Sequence, residues 1–276
     1  MTAWYGIAGY LPFEWAQFTF MQNALLAVII VAPLFALLGC LVISNQMAFF
    51  SDAIGHAALT GIAIGALAGL ADPFWAMIGF ALVLTLLVSL LRRYSAVSTD
   101  TVIGLMMAFA VALGVVLLSR GGGFARYSRF LVGDILTITP AEIGRLLVLL
   151  AGVVVVWITL FNRFFFISLN QALARSRGIR VGLMETLFAM IVALGVTVSI
   201  PWVGLLVINA LLIVPAAAAR NAARNMPQYI LGSVGISLLS GIAGLIASYY
   251  WNTATGATIV LFAMACFVLS FLIRRR

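Results

Sequence analysis

Lysine is absent from this 276-residue chain: all fifteen basic residues are arginine. A Walker A phosphate loop needs a lysine to reach the nucleotide phosphates, so the chain cannot hydrolyse ATP by that mechanism. Catalysis through a lysine Schiff base is excluded as well. Charge of either sign is scarce, at 8% of residues against 65% hydrophobic. A water-soluble chain of this length would carry far more polar surface, so the composition specifies an integral membrane protein. There are two cysteines. Cys40 and Cys266 lie in separate apolar runs without C-x-x-C spacing, which indicates neither a disulfide framework nor a thiolate metal site and leaves them as small core residues. Strand-like alternation, low-complexity tracts and sequence repeats are missing too. The net charge of +8 does not point to nucleic acid, because the arginines are scattered at the ends of apolar segments and no aromatic-basic face forms.

What the chain does have is apolar length. A spanning helix needs about 20 largely apolar residues, and nine segments meet that requirement: 21–43, 53–70, 73–91, 101–119, 142–161, 183–200, 203–219, 229–249 and 254–273. The expected fold is all-α and polytopic with about nine transmembrane helices. Eight is the alternative, since only Pro201 divides the sixth segment from the seventh. Residues 1–20 have no basic region and no apolar core before Ala16, so they do not read as a cleavable signal peptide. With Trp4, Tyr5, Tyr10, Phe13 and Trp15 they read as an outer interfacial segment at the headgroup level. Residues 21–276 form a single transmembrane domain.

Orientation follows from the arginines. Alternate connections hold Arg92 and Arg93; Arg163, Arg175, Arg177 and Arg180; Arg220 and Arg224; and Arg274, Arg275 and Arg276, eleven on one side. The other side holds four: Arg120, Arg126, Arg129 and Arg145. The positive-inside rule puts the larger set and the carboxyl terminus in the cytosol and the amino terminus outside, a parity that nine spans satisfy.

Two stretches depart from a simple bundle. The turn at 44–51 (SNQMAFFS) is the one cytosolic connection without arginine, and it is expected to dip into the membrane. Non-helical backbone is tolerated there only where it is buried in protein or lines a water-filled cavity. The stretch at 120–140 (RGGGFARYSRFLVGDILTITP) is too polar to span and is expected to form a short outer helix or docking surface. Pro33, Pro201 and Pro215 mark expected kinks or breaks. After Pro215 the run AAAARNAARNMP is helix-forming and sets Arg220 and Arg224 four apart on one face, a basic knob suited to a partner protein or an ordinary charged loop.

Three side chains merit weighing for chemistry at depth: Asp52, His56 and Asp134. Asp52 and His56 stand four apart at the start of the second segment, and Thr60 continues the spacing. A carboxylate and an imidazole so placed can hold one divalent cation from a single helix face, and that donor pair suits zinc, manganese or ferrous iron. The plainer alternative is that Asp52 and Ser51 cap the helix. Ionisable groups in spanning segments are costly, however, and commonly line a route or the bundle interior. Two ligands are too few for a complete site. Beside them Ala57, Gly61, Gly65 and Gly69 repeat at a spacing of four, the small-residue pattern that lets helix backbones approach closely.

The segments MAFFSDAIGHAALTGIAIG, FLVGDILTITP, LNQALARSRGIRVG, VGLLVINALLIVPAAAARNAARN and TATGATIVL occur in this order. Together they resemble the membrane permeases of bacterial ABC importers for zinc, manganese and iron, over about residues 20–273. The resemblance implies a homodimeric permease of type II importer architecture in the bacterial plasma (inner) membrane, a pair of cytosolic ATP-binding cassette ATPases, and an extracytoplasmic metal-binding protein. Membrane lipid is the surrounding partner. It implies that Asp52 and His56 meet the metal, with Thr60 and Ser51 beside the pathway. It also implies that 215–227, with Pro215, Arg220, Asn221 and Arg224, couples to the ATPase. Arg126, Arg129 and Asp134 are then placed to dock the delivery protein. No permanent cofactor is implied, only the transported ion, zinc first and manganese next. Asn45 and Gln46 depart from the pattern, since many relatives carry basic residues there.

Two other functions fit the same residues less fully. A proton-coupled secondary transporter would use Asp52 and His56 as a relay and need no ATPase. An intramembrane enzyme would need a nucleophile or a fuller metal constellation than one histidine supplies.

Overall fold

The computed structural model describes residues 4–5, 13–70, 72–121, 133 and 135–273. Among these residues the chain is helical throughout, with α1 (Thr19–Ser44), α2 (Phe50–Leu67), α3 (Phe74–Tyr94), α4 (Thr99–Gly121), α5 (Pro140–Leu169), α6 (Gln171–Ser176), α7 (Val181–Val203), α8 (Leu205–Ala222), α9 (Met226–Trp251) and α10 (Thr255–Ile273). All but the one-and-a-half-turn α6 are long and apolar enough to cross a membrane, nine among the described residues. Short 3₁₀ turns occur at Glu14–Gln17 and Ile135–Thr137.

Of the kinks or breaks expected at proline, no break formed. Pro33, Pro201 and Pro215 all lie inside helices, in α1, α7 and α8. Packed neighbours stabilise proline in a membrane helix because they and local backbone adjustment satisfy the carbonyl it frees. The sixth and seventh spans are instead divided by Gly204, at φ 82°. A side chain is strained in that backbone region. Space is short as well, since a Cβ on Gly133 would lie 2.7 Å from the Val203 carbonyl carbon and closer still to Gly204.

The chain divides into two compact units, and α1, α5 and α7 each belong partly to both. The first comprises Met1–Cys40, Val132–Val154 and Pro201–Arg276. Its interior is built on α9 running antiparallel to α1. The Tyr229 hydroxyl donates to Cys40 O at 3.3 Å, Ser233 Oγ to Ala36 O at 3.4 Å, and Ser237 Oγ to Ala32 O at 3.0 Å. At the next step a Cβ on Gly241 would meet Val28 Cγ1 at 2.7 Å. One helix thus advances by four residues as the other retreats by four, with small and hydroxyl side chains at the seam. That is how membrane helices associate where water supplies no hydrophobic drive between them. At its amino-terminal end, Trp15 and Ala16 are buried, Trp4 Nε1 donates to Gln22 O at 3.1 Å and Tyr5 OH to Asn23 Oδ1 at 2.8 Å.

The second unit comprises Leu41–Leu131 and Val155–Ile200. Here α2 is clasped between α3 and α4. Gly61 and Gly65 lie directly on α3, where a Cβ on Gly61 would stand 2.6 Å from Met77 Cα and one on Gly65 2.9 Å from Ala76 Cβ. Gly69 does not continue that packing. It ends α2 at φ 71°, with its N–H donated to Ala66 O and the Leu70 N–H donated to Gly65 O, a Schellman closure. A minor core of Ile167, Ala174 and Val181, with Phe166, Ile179 and Met184 against it, folds α6 between α5 and α7.

Candidate metal pathway and coupling segment

The local fold places Asp52 and His56 in three steps. First, α1 is closed off tightly: Met47 N–H donates to Val42 O at 3.0 Å, Gln46 adopts the left-handed φ of 54°, and Asn45 Nδ2 donates to Leu41 O at 2.8 Å. The connection expected at 44–51 therefore shrinks to residues 45–49, and Asn45 and Gln46 act as helix-ending residues. Second, Phe50 and Ser51 are fully buried and anchor the start of α2, while Phe49 is 64% exposed. Third, α2 begins at Phe50, three residues before the expected start, so Asp52 sits in its first turn. The N-cap residue, Phe49, offers no side-chain cap.

Along the first three turns of α2 nearly every side chain is buried; the half-buried ones are Asp52, His56 and Leu59. At 100° per residue these three share one face. That face carries the pair, with Asp52 Oδ1 and His56 Nε2 3.9 Å apart and their side chains 35% and 28% exposed. A cation held at about 2.0–2.1 Å from each atom in tetrahedral geometry requires them about 3.3 Å apart. The two side chains thus need to close by only about 0.6 Å from their separation of 3.9 Å, within ordinary rotamer adjustment.

Thr60 sits elsewhere. It is buried, and its hydroxyl donates to Ala110 O of α4 at 2.6 Å, with His56 O at 3.3 Å. A step of eight residues carries it about 80° round the helix from Asp52, whereas the step of seven to Leu59 nearly returns. Ser51 is likewise buried, its Oγ 3.4 Å from Ala48 O. No group of three or more His, Cys, Asp or Glu side chains comes together among the described residues.

The segment at 215–227 takes a different form from the expected single helix. Pro215, buried, lies within α8, which runs on to Ala222 before Ala223 turns extended at ψ 138°. Arg220 is exposed in the last turn of α8, and Arg224 is exposed beyond its end, so the two do not share a helical face. The reason is the start of α9. Asn225 accepts from the Gln228 N–H at 2.9 Å, Gln228 Oε1 accepts from the Arg224 N–H at 3.1 Å, and Pro227 fills the first turn. Asn221 Nδ2 donates to Ser270 Oγ at 2.8 Å, fastening the end of α8 to α10. The remaining expected site residues, Arg126, Arg129 and Asp134, lie outside the described residues, as do Arg274, Arg275 and Arg276.

Comparison with known proteins agrees with this architecture along the whole chain. Residues 17–274 match the ABC 3 transport family. The chain is 32% identical to the manganese import system permease protein ScaB of Streptococcus parasanguinis, covering 93% of this chain and 91% of the relative. It is 33% identical to the high-affinity zinc uptake system membrane protein ZnuB of Haemophilus influenzae, covering 94% and 100%. The solved structure of PsaBC from Streptococcus pneumoniae in complex with Fab superposes with a TM-score of 0.80 at 29% identity, over 98% of this chain and 95% of that one. The chain belongs to the ABC 3 transport family and is a multi-pass plasma-membrane permease of that family.

Proposed function

We propose that this chain is the permease subunit of an ATP-driven importer of a divalent transition metal, with zinc the favoured cargo and manganese next. The observation that carries the reading is the Asp52 and His56 pair, accessible on an otherwise buried helical face and 3.9 Å apart, in a chain that aligns end to end with both a manganese and a zinc permease. The imidazole favours zinc, while the carboxylate serves either ion. Asp52 and His56 supply two donors; water, other helices or a second copy of the chain supply the rest.

Energy comes from a partner. With no lysine in the sequence there is no Walker A site, and a cytosolic ATPase pair is the partner that the family's architecture requires. Arg220, exposed in the last turn of α8, and Arg224, exposed in the break before α9, offer that partner two cations on a short elbow. The arginine distribution puts this elbow and the carboxyl terminus in the cytosol, and Arg126 and Arg129 outside, where they pair with carboxylates of a delivery protein. Thr60, bonded to α4, holds the metal-bearing helix in place.

Reconstitution of the chain with and without its ATPase, with uptake measured separately for zinc and manganese, tests the reading. ATP-dependent uptake is expected only with both subunits. Proton-driven uptake by the permease alone would instead establish a secondary transporter.

A further inference from the structure

Two amides stand side by side in the opening turns of α1, at the end that the arginine distribution puts outside. Both are buried, Gln22 and Asn23 each being 7% exposed. Burying an amide is costly unless its hydrogen bonds are made, and here they are spent on tying down other segments. Gln22 Nε2 donates to Ala16 O at 2.6 Å, while its backbone oxygen accepts from Trp4 Nε1. Asn23 uses both ends of its amide: Oδ1 accepts from the Tyr5 hydroxyl at 2.8 Å, and Nδ2 donates to Ile138 O at 3.3 Å. One side chain thus joins the amino-terminal segment to the connection that leads into α5, all within the first unit.

Membrane anchoring explains neither of the Asn23 bonds. An aromatic segment resting at the headgroup level would leave its indole N–H and phenol hydroxyl to water and lipid, whereas Trp4 and Tyr5 donate theirs to α1. On the other side, Ile138 follows the 3₁₀ turn Ile135–Thr137 and precedes α5. Its carbonyl therefore lies outside any helix although the residue is buried, and a buried carbonyl must be given a partner. Asn23 supplies one. Ile135 is buried as well, and Gly133 rests on the backbone of Gly204. The stretch 133–139 is anchored at these three points, and through Asn23 the amino-terminal segment is fastened to it.

We infer that Asn23 is a positioning residue for the outer partner: by joining Tyr5 to Ile138 it holds the amino-terminal segment and the stretch 133–139 as one preformed surface on which the extracytoplasmic metal-binding protein lands. The inference rests on the delivery-protein reading above, in which Arg126 and Arg129, just ahead of Gly133 in the chain, meet carboxylates of that protein. The amino-terminal segment adds a contact of a different kind. Phe13, 49% exposed, stacks on buried Trp15 with ring centroids 5.8 Å apart, and Glu14 and Gln17 beside it are exposed. An aromatic anchor with a polar rim is the make-up of a protein interface. A partner that binds only the fastened arrangement loses apparent affinity in proportion to the fraction unfastened. The Asn23 bonds therefore act on docking and leave the metal ligands alone.

Uptake by the intact transporter in proteoliposomes, measured against the concentration of its extracytoplasmic protein loaded with zinc or manganese, tests the inference. Asn23→Leu removes both bonds, and Tyr5→Phe removes one. At about fivefold per hydrogen bond, the KM for the loaded protein should rise about fivefold in Tyr5→Phe and up to about twenty-five-fold in Asn23→Leu, with kcat unchanged. Hydrogen exchange at the amides of 135–139 should quicken in the same variants. Tyr250→Phe, which removes an exposed hydroxyl at the outer end of α9, should change neither. An unchanged KM in both variants overturns the inference, and the docking reading survives it if Arg126→Glu with Arg129→Glu still raises KM. A fall in kcat at constant KM in Tyr5→Phe, together with a lower melting temperature, also overturns it and reduces Asn23 to a packing role. Uptake that does not depend on the extracytoplasmic protein removes the docking reading and this inference with it. Should Asn23→Leu fail to assemble, Tyr5→Phe alone decides.

Discussion

Replacing Gly61 by alanine tests whether α2, the helix of the proposed metal ligands, is held as the structure describes. The added Cβ would stand 2.6 Å from Met77 Cα and 2.8 Å from Ala76 O, both backbone atoms that cannot rotate away. Ordinary contact begins near 3.4 Å, so α2 and α3 must separate by about 0.8 Å. Overpacking of this kind costs about 1–3 kcal/mol, a lowering of the melting temperature by about 4–8 °C for a 2 kcal/mol loss in a chain of this size. The displaced helix is the one that carries Asp52 and His56, so uptake should fall with stability, and α2 is also bonded to α4 through Thr60. Gly79→Ala provides the control: nothing lies within 4 Å of a Cβ there, and alanine is the better helix former by about 1 kcal/mol. Melting of the purified protein by fluorescence-detected size exclusion, with metal uptake in parallel, reads both. Gly61→Ala melting within about 1 °C of the wild type would refute the close approach of the two helices, since the expected shift is several times larger.

Other substitutions address other parts of the structure. Asp52→Asn and His56→Ala should each abolish metal uptake in vesicles while the protein still assembles with its ATPase; retained uptake in both would leave cavity shape alone to select the ion. Leu59→Asp, on the accessible face, should alter uptake more than Thr60→Val, which should mainly lower the melting temperature. Gly204→Ala puts a side chain on a positive-φ backbone at φ 82°, so it should cost about 1–3 kcal/mol from the backbone strain alone, visible as poor yield of folded protein. Ser237→Ala removes the 3.0 Å bond to Ala32 O and should cost only about 0.6 kcal/mol, the usual worth of such a bond between membrane helices. Arg220→Glu with Arg224→Glu should weaken co-purification with the ATPase, and an unchanged complex would remove the elbow from the interface.

The nine spans are legible in the sequence because their signal is length and apolarity, which α1 to α5 and α7 to α10 carry without help from tertiary structure. Helix ends are less so. Proline is the natural breaker at 201, yet the interruption falls at Gly204, because close packing against Gly133 decides the matter and no local pattern announces it. The same holds at 220–224, where a four-residue spacing suggests one helix face. The capping residues Asn225 and Gln228 belong to the next helix and cut the run short. A repeat of four along α2 misleads in two places. Gly69 serves as the helix terminator, and Thr60 drifts off the face of Asp52 where Leu59 stays on it. A spacing of seven is the better guide. The arginine distribution puts Arg93 and Arg180 on the same side of the membrane, but that the two line one cavity is not legible in the sequence, since they are 87 residues apart and meet only once α3 and α7 are packed.

If Asp52 and His56 meet the metal as proposed, their incomplete ligand set is what a conduit for metal ions requires. Conduction demands binding favourable enough for entry and weak enough for departure. A closed tetrahedral site of four protein ligands contributes folding free energy and retains its ion, which suits a structural metal and not a cargo. One imidazole and one carboxylate, partly exposed and 3.9 Å apart before any ion closes them, can exchange some of the hydration shell for protein donors while water keeps the remaining positions. Placing both on a single rigid helix couples the site to helix motion as one body: a shift of α2 against α3 and α4 moves the two ligands together and changes which donors complete the shell around them. Adding donors should therefore slow transport even as it strengthens binding. Leu59→His, which puts a second imidazole on the accessible face, is expected to raise zinc affinity at equilibrium and to reduce ATP-driven turnover. Faster turnover with tighter binding would contradict a pathway that works by partial coordination.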